Sequence, residues 1–271
     1  MANTVTRRDF VKTAALATGA AMAGAHALGA NERIRLGAIG VANRGMQIIE
    51  GALALPETEF VAICDVDSTA MDKCAAKLPN PVERYGDYRK LLERDDIDAV
   101  LIATPDHWHA LICTDACRAG KDVYVEKPLS VTISEGRRMV QVARETSRVV
   151  QVGLHRRSAP LFSKAEELVK RGDLGKVSVG TAYRTSNMTP EGIGKCQPCD
   201  PPATLDWDRW LGPRAFRPYQ PNITPYKFRW WKDYSSQIGN WGVHYFDLMR
   251  WAVGEEAPVA VTALGGKFVV D

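Results

Sequence analysis

The sequence predicts an α/β protein in which a doubly wound parallel sheet is followed by a second α/β domain. Short apolar runs alternate with helical stretches through the first half of the 271-residue chain, the pattern of a parallel sheet with helices on both faces. A glycine-containing turn follows the first apolar run, and polar residues follow the later ones, at the sheet edge where such folds bind ligands. The length fits two domains once an N-terminal targeting segment is set aside.

The composition restricts the class of partner. Apolar residues make up 45% of the chain and charged residues 25%, values that are ordinary for a globular protein and argue against disorder. The formal net charge is +3 and no dense run of Lys or Arg occurs, so the charge pattern of a nucleic-acid or anionic-membrane binder is missing. We therefore expect a small-molecule ligand and no nucleic-acid partner.

Residues 1–30 are predicted to be a twin-arginine export signal that is removed from the mature protein. Arg7 and Arg8 precede a mildly apolar run that is rich in alanine and glycine. Cleavage is expected after Ala27 or Ala30, where small residues accumulate. The alternative is a membrane anchor, but the run is too short and too weakly apolar to span stably. We expect a periplasmic or otherwise exported protein with no stable membrane span after cleavage.

The turn after the first predicted strand, Ile34 to Ile39, reads G-x-A-x-x-G, a version of the dinucleotide-binding fingerprint. Its first glycine forms a tight turn, its second position lets the backbone approach a pyrophosphate, and its last glycine packs the helix against the strand. The helix amides and dipole would then face the pyrophosphate. Here an alanine stands at the second position, and its methyl group narrows the gap in which the pyrophosphate would lie. The motif alone is therefore weak evidence for dinucleotide binding. Cofactor contacts are predicted for Gly40, Ala42, Asn43, Arg44 and Gly45.

Asp65 ends the second predicted strand, FVAICDVD, twenty residues after Gly45. A carboxylate at this place would accept hydrogen bonds from an adenosine ribose and would repel a 2′-phosphate. The alternative is a strand-terminal aspartate that caps the next turn. We expect NAD as the cofactor, with NADP less favoured.

Two further strands, one from Asp98 and one over Asp122 to Val125, flank a helix predicted from about Trp108 to Ala119, which Gly120 ends. Strand, helix and strand repeated in this way build a parallel sheet. Ligands bind at the carboxyl ends of its strands. The residues predicted to contact the cofactor there are Thr104, Pro105, His107, Glu126 and Lys127.

These features together resemble the Gfo/Idh/MocA oxidoreductase family, in particular its exported branch. The resemblance rests on the glycine turn, ATPDHWH, AGKDVYVEKP, DWDRWLGP and GNWGVHYFD, and it extends from about Arg33 to the last residue. It implies a Rossmann domain over residues 31–153 that binds NAD(P), and a second α/β domain over 154–271 with an open, mainly antiparallel sheet. It also implies sugar or polyol substrates. Lys127 would lie between nicotinamide and substrate and donate to the substrate hydroxyl, and the oxidised nicotinamide would lower its pKa.

The stretch GNWGVHYFD places Asn240, His244 and Asp247 at the spacing i, i+4, i+7, which puts them on one face of a helix. The family has an acid-x-x-x-His element here, so the resemblance implies that His244 takes the hydroxyl proton, a role suited to an imidazole. Asn240 stands where many members carry Asp; it can orient but cannot ionise. Lys127, His244 and Asn240 are the predicted catalytic residues, and Asp247 has an orienting or structural role. The alternative for His244 is a buried, hydrogen-bonded core residue.

The second domain begins with a helix predicted over Ser163 to Arg171 and a half-exposed strand over Lys176 to Arg184. A long irregular stretch, Thr185 to Tyr234, follows and is rich in Pro, Gly and Trp; loops of this length are often functional. The chain stops soon after a strand-like run, and family members usually continue. We therefore expect an incomplete second domain. By resemblance we also expect a homo-oligomer joined through the open sheet.

Aromatic and basic residues of this region are candidates for substrate contact. Indole rings stack on sugars, so Trp231 is predicted to bind substrate, although any one tryptophan of this loop is as well explained by packing. Arg157 is predicted to bind substrate, with a solvated arginine as the alternative. Cys196 and Cys199 could form a disulfide, a redox pair or half of a zinc site; a loop staple is favoured. No second ligand pair is evident, so no metal site is predicted.

Three functions are consistent with these residues. The first is an exported NAD-dependent oxidoreductase that transfers a hydride between nicotinamide and a sugar, sugar derivative or cyclitol. The second is an NAD-dependent glycoside hydrolase that oxidises its substrate transiently, eliminates, adds water and re-reduces. The third, suggested by Ala42 and Asn240, is a sugar-binding protein without catalysis.

Overall fold

The structure is a computed structural model that describes residues 33–185, 191–254 and 257–266. The predicted export signal over residues 1–30 lies outside the described residues. The described residues from Ile34 onward belong to one compact unit, and the domain boundary after residue 153 stays a prediction.

Six parallel strands form one sheet in the order β3-β2-β1-β4-β5-β6. Their bounds are β1 Ile34–Ile39, β2 Thr58–Cys64, β3 Glu83–Tyr85, β4 Ala99–Ile102, β5 Asp122–Glu126 and β6 Val150–Gly153. The carboxyl ends are aligned, since Ile39 pairs with both Cys64 and Ile102. The strand order reverses direction between β1 and β4, and this is where open α/β sheets form a ligand-binding crevice.

Helices cover both faces of the sheet. Their bounds are α1 Asn43–Leu53, α2 Ser68–Ala75, α3 Tyr88–Leu92, α4 Asp106–Arg118 and α5 Ile133–Glu145. Successive strand residues point to opposite faces, so Ala62 and Ile63 enter two different hydrophobic cores. The strands β1, β2, β4 and β5 therefore read as largely apolar runs that the sequence predicts, whereas the short, mostly exposed edge strand β3 has no such run.

Described residues after β6 form helices and irregular segments. The elements are a 3₁₀ turn His155–Ser158, α6 Pro160–Lys170, α7 Trp207–Leu211, a 3₁₀ turn Lys227–Trp230, a π-helical turn Ile238–Gly242 and α8 Val243–Val253. The strand predicted over Lys176 to Arg184 is wrong for this structure. Among the described residues no neighbouring strand is available there to complete its backbone hydrogen bonds, and a strand is not stable alone.

An aromatic cluster orders the long irregular stretch. It consists of Trp207, Trp210, Tyr219, Phe228 and Tyr234 together with Leu211 and Ile223. The carbonyl oxygen of Trp210 accepts hydrogen bonds from His107 Nε2 at 2.9 Å and Trp108 Nε1 at 3.0 Å, both from α4. The cluster thereby holds this stretch against the carboxyl edge of the sheet.

Two further observations concern membrane-spanning helices and the predicted disulfide. Over 33–185, 191–254 and 257–266, no helix is long and apolar enough to cross a membrane. Cys196 and Cys199 are both free thiols, so the favoured disulfide is not formed in this structure. Other bonds hold that loop: Gln220 donates to the carbonyl of Cys196, and the Cys199 amide donates to Tyr219.

Candidate active site

The glycine turn after β1 has the backbone geometry that the fingerprint requires. Gly40 has φ of +82°, and a Cβ at this position would lie 2.6 Å from the amide nitrogen of Thr104. A Cβ at Gly45 would lie 1.9 Å from the carbonyl oxygen of Gly40. Both positions therefore require glycine, one for its conformation and one for the close contact of α1 with the turn.

A cavity of about 330 Å³, called the first cavity below, opens at the carboxyl ends of β1, β2 and β4. The predicted cofactor residues that line it are Gly40, Ala42, Asn43, Arg44, Asp65, Thr104 and Pro105. Gly45 lies beneath the turn as a packing residue. The hydroxyl of Thr104 is buried and has no hydrogen-bond partner among the described residues. A phosphate-binding turn, an N-terminal helix end and an unpaired donor fit a bound dinucleotide.

Asp65 caps a turn and also lines this cavity. Its Oδ2 accepts from the amide of Val41 at 2.8 Å, and its Oδ1 accepts from the amide of Asp67 at 3.0 Å. These bonds hold the glycine turn to the end of β2. Each carboxylate oxygen keeps a further lone pair, so contact with a ribose hydroxyl remains open. Burial raises the pKa of Asp65, and the backbone hydrogen bonds oppose that shift.

Glu126 connects the glycine turn to the second half of the site. Its Oε1 accepts from Arg44 Nε at 2.9 Å, and its Oε2 accepts from the amide of Lys127 at 3.2 Å. Arg44 Nη2 donates to Nδ1 of His155 at 3.3 Å. Because arginine can only donate, this His155 nitrogen acts as the acceptor, and the neutral ring carries its proton on Nε2.

A second cavity, of about 490 Å³, adjoins the first. The two cavities share six lining residues: Arg44, Gln47, Ala103, Thr104, Tyr226 and Arg229. Lys127, Asn240 and His244 all line this second cavity. Lys127 Nζ donates to the backbone oxygen of Asn240 at 3.1 Å and to its Oδ1 at 3.2 Å. Asn240 lies in the π-helical turn before α8, a distortion that is frequent at functional sites. The structure therefore brings the three predicted catalytic residues together.

Burial determines the charge state of this site. Burial, together with the nearby charges of Lys127 and Arg156, lowers the pKa of His244 to about 4. His244 is therefore neutral at neutral pH, and its buried Nδ1 has no hydrogen-bond partner among the described residues. Burial also lowers the pKa of Lys127, while the negative charges of Asp106 and Glu126 oppose that shift. A neutral imidazole and a desolvated amine in one cavity are suited to proton transfer.

Comparison with protein families identifies this arrangement. Residues 34–154 match the model described as "Oxidoreductase family, NAD-binding Rossmann fold", and residues 167–265 match "Oxidoreductase family, C-terminal alpha/beta domain". Both are models of Gfo/Idh/MocA proteins, and together they span most of the chain. The chain belongs to the Gfo/Idh/MocA oxidoreductase family. The predicted fold class and the NAD-binding first domain are thus confirmed.

Solved structures share the architecture of this Gfo/Idh/MocA chain. A probable dehydrogenase from Thermotoga maritima is 25% identical with a TM-score of 0.55, and the match covers 82% of this chain and 56% of that one. Scyllo-inositol dehydrogenase from Lactobacillus casei, solved with bound NAD(H) and scyllo-inositol, is 26% identical with a TM-score of 0.50. That match covers 54% of this chain and 43% of the dehydrogenase.

Curated relatives of the chain include glycosidases. A glycosyl hydrolase family 109 protein from Shewanella putrefaciens is 39% identical over 123 residues, which are 42% of this chain and 27% of the relative. An alpha-N-acetylgalactosaminidase from Shewanella oneidensis is 38% identical over 125 residues, 43% of this chain and 27% of the relative. The match thus spans about a quarter of the length of these relatives.

Besides Gly45, three predicted contact residues lie outside both cavities: His107, Trp231 and Arg157. His107 packs against the aromatic cluster, with its ring against Trp210 and Tyr234, and its contact with the cofactor stays a prediction that this placement does not support. Trp231 donates from Nε1 to the carbonyl of Asn222 at 2.8 Å and holds the loop rather than lining the cleft. In both cases the ring packs against residues of the long irregular stretch.

Arg157, a predicted substrate contact, is paired with Asp247 in this structure, and its contact with substrate stays a prediction. Its Nε and Nη2 donate to the two carboxylate oxygens of Asp247 at 2.8 and 2.6 Å, and this ion pair joins the 3₁₀ turn to α8. The neighbouring residue, Arg156, lines the second cavity instead. Successive residues of a tight turn point in different directions, so the sequence alone could not choose between these two arginines. Asp247 has the structural role that its position allows.

The structure adds residues that the sequence did not single out. Those lining the second cavity include Asp106, His155, Tyr226, Arg229 and Trp241. Asp106 and His155 follow the ends of β4 and β6, so their position at the carboxyl edge of the sheet could have identified them. Tyr226 and Arg229 lie in the long irregular stretch, where no spacing signals function. No cluster of three His, Cys, Asp or Glu side chains within the described ranges could hold a metal ion.

Proposed function

We propose that the protein is an NAD-dependent oxidoreductase that transfers a hydride between nicotinamide and a hydroxyl-bearing carbon of a sugar, sugar derivative or cyclitol. The observation that carries this proposal is the adjacency of two cavities. One is lined by the glycine turn and the other by Lys127, Asn240 and His244. The L. casei dehydrogenase, solved with NAD(H) and scyllo-inositol, supports the choice of substrate class.

The residues of the second cavity have separate tasks in this reaction. NAD, when bound, supplies the hydride acceptor. His244 accepts the substrate hydroxyl proton, which its neutral state at neutral pH allows. Lys127 donates a hydrogen bond to the same substrate oxygen, and Asn240 holds the Lys127 amine through two hydrogen bonds. The substrate loses a hydride from carbon and a proton from oxygen, which gives a ketone, NADH and a proton.

The test measures NADH absorbance while a panel of sugars and cyclitols is added to the purified protein with NAD. We expect turnover with at least one substrate. His244→Ala should reduce kcat by about 10²- to 10⁴-fold, the usual contribution of a general base, and should leave NAD binding intact. His107→Gln is the matched control, because this histidine lies outside both cavities and the amide keeps the bond to Trp210. Undiminished turnover by His244→Ala would refute the mechanism. Sugar binding without redox change would favour the non-catalytic alternative.

A second candidate is supported by the family 109 relatives. Oxidation of a hydroxyl acidifies the neighbouring C–H, after which elimination, addition of water and re-reduction cleave a glycoside without net NADH. The 38% identity to an alpha-N-acetylgalactosaminidase favours this version of the chemistry. Release of sugar from an aryl N-acetylgalactosaminide without accumulation of NADH would establish it. Absence of release from a panel of aryl glycosides, together with NADH formation from free sugars, would favour the dehydrogenase.

We further propose export by the twin-arginine route and self-association in solution. The paired Arg7 and Arg8 before an apolar run support export. Replacing both arginines by lysine should retain the protein in the cytoplasm, which cell fractionation would detect.

The proposed self-association would be tested by light scattering, which gives the number of subunits in solution.

A further inference from the structure

The second cavity contains a buried carboxylate that takes no part in the proposed hydride transfer. Asp106 is the first residue of α4 and is only 5% exposed, yet it lines the same cavity as Lys127 and His244. Its Oδ2 accepts a hydrogen bond from Ser235 Oγ. Within the described part of the chain it forms no salt bridge, and a buried carboxylate in that state requires an explanation.

Within the described residues, Lys127 has no bonded counter-charge. Its amine donates to two oxygens of Asn240, and both are neutral. A buried ammonium without a compensating negative charge is costly, and its pKa falls in consequence. The titratable groups that face it come from six elements: Asp106, Glu126, Arg44, Arg229, His155 and His244.

Only two of these groups are acidic, and one of them is already paired. Glu126 forms a salt bridge with Arg44 at 2.9 Å, so its charge is largely compensated. The basic groups Arg44 and Arg229 oppose protonation of Lys127. Asp106 is then the acidic group of the cavity without an ion-pair partner among the described residues; burial raises its pKa, whereas His109, the Ser235 hydrogen bond, Arg229 and Lys127 lower it and favour the charged form.

We propose that Asp106 is the counter-ion of Lys127, a positioning residue that supplies from α4 the negative charge that Asn240 cannot supply from the π-helical turn. Ser235 holds the carboxylate, and Lys127 is kept protonated so that it donates to the substrate oxygen. The catalytic consequence rests on the proposed function of this cavity, whereas the effect on Lys127 does not.

The test compares the charge state of Lys127 in Asp106→Asn and in the parent protein. The asparagine keeps the shape of the side chain and an acceptor for Ser235 but removes the charge. Competitive labelling with acetic anhydride across a pH series, read by peptide mass spectrometry, gives the pH of half-labelling for this lysine. We expect that pH to fall by about one unit or more, since a nearby opposite charge shifts a pKa by this amount. Asp106→Ser provides a second neutral variant should the first fail to fold.

Two further variants make the test specific. Asp115→Asn removes a carboxylate from the same helix that bonds to Tyr88 and lines neither cavity, so it should leave Lys127 labelling unchanged. Asn240→Asp added to Asp106→Asn restores a carboxylate within 3.2 Å of Lys127 and should return the half-labelling pH toward the parent value. The pH profile of kcat/KM should shift and recover in parallel.

The outcomes separate this inference from the proposed function. Unchanged labelling in the neutral variants, or an equal shift in Asp115→Asn, would overturn the pairing of Asp106 with Lys127. A shift in labelling from a parent protein that oxidises no sugar or cyclitol would support the pairing and refute the dehydrogenase.

Discussion

At the scale of single residues, the site combines the neutral His244 with Lys127, whose amine donates two hydrogen bonds to Asn240. Asn240→Ala removes the Oδ1 acceptor of Lys127 but leaves the backbone oxygen in place. Loss of one hydrogen bond to a charged donor corresponds to about 1.5–3 kcal/mol, so kcat/KM should fall by roughly 10- to 150-fold. Steady-state kinetics would measure this effect, and a fluorescence titration of NAD should show unchanged affinity. A variant with parental kinetics would contradict the assigned role of Asn240.

The residues of the site differ in how far the sequence could identify them. The sequence could identify Gly40, Gly45 and Asp65, because their roles follow from backbone geometry at the end of a strand. Lys127 and His244 required the family resemblance, since spacing alone does not bring β5 and α8 together. The sequence did not indicate that the side chains of His107 and Trp231 lie outside both cavities, because they pack among residues from distant parts of the chain. Packing of that kind has no local signal in the sequence.

At the scale of elements, the first cavity depends on the close contact between α1 and the glycine turn, where Gly45 packs against the carbonyl of Gly40. In Gly45→Ala the new Cβ would collide with the carbonyl of Gly40, so α1 must move away from the turn. We expect NAD affinity to fall at least tenfold, and stability to fall by about 1–3 kcal/mol, the usual cost of overpacking. Calorimetric NAD titration and urea unfolding would measure the two effects.

A glycine of the same helix provides the control for this prediction. A Cβ at Gly51 meets no atom within 4 Å. Gly51→Ala should therefore leave NAD binding unchanged and stabilise the protein by about 0.5–1 kcal/mol, because alanine favours a helix more than glycine does. Equal loss of NAD affinity in both variants would show that the contact at Gly45 is not the cause.

The elements themselves were predictable to different degrees. The central strands of the sheet are buried on both faces, so their sequences are largely apolar runs that can be recognised locally, whereas the exposed edge strand β3 offers no such signal. The second half is different: α7, the two 3₁₀ turns and the π-helical turn are short, and tertiary contacts determine them. The misassigned strand over Lys176 to Arg184 shows the same limit, because alternation indicates a strand only where a partner strand exists.

At the scale of the whole molecule, buried neutral histidines make stability depend on pH. Burial lowers the pKa of His107 to about 3 and that of His244 to about 4, from an ordinary value of 6.5. At these two histidines, the unfolded chain therefore binds more protons than the folded protein between the folded pKa and pH 6.5. The stability that each neutral histidine provides is complete above that pH and is lost as the pH falls toward the folded value. Each contributes up to about 1.4 kcal/mol per pH unit.

His107→Gln tests this dependence on a residue that holds the long irregular stretch to α4. The amide can still donate to the carbonyl of Trp210 but does not titrate. Between pH 6.5 and 4.5, the slope of unfolding free energy against pH should be smaller in the variant by about 1.4 kcal/mol per unit. Urea unfolding at several pH values would measure both slopes, and the acidic groups common to both proteins cancel in the difference. Parallel curves would mean that His107 is protonated in the folded protein, and the buried, neutral state assigned to it would then be wrong.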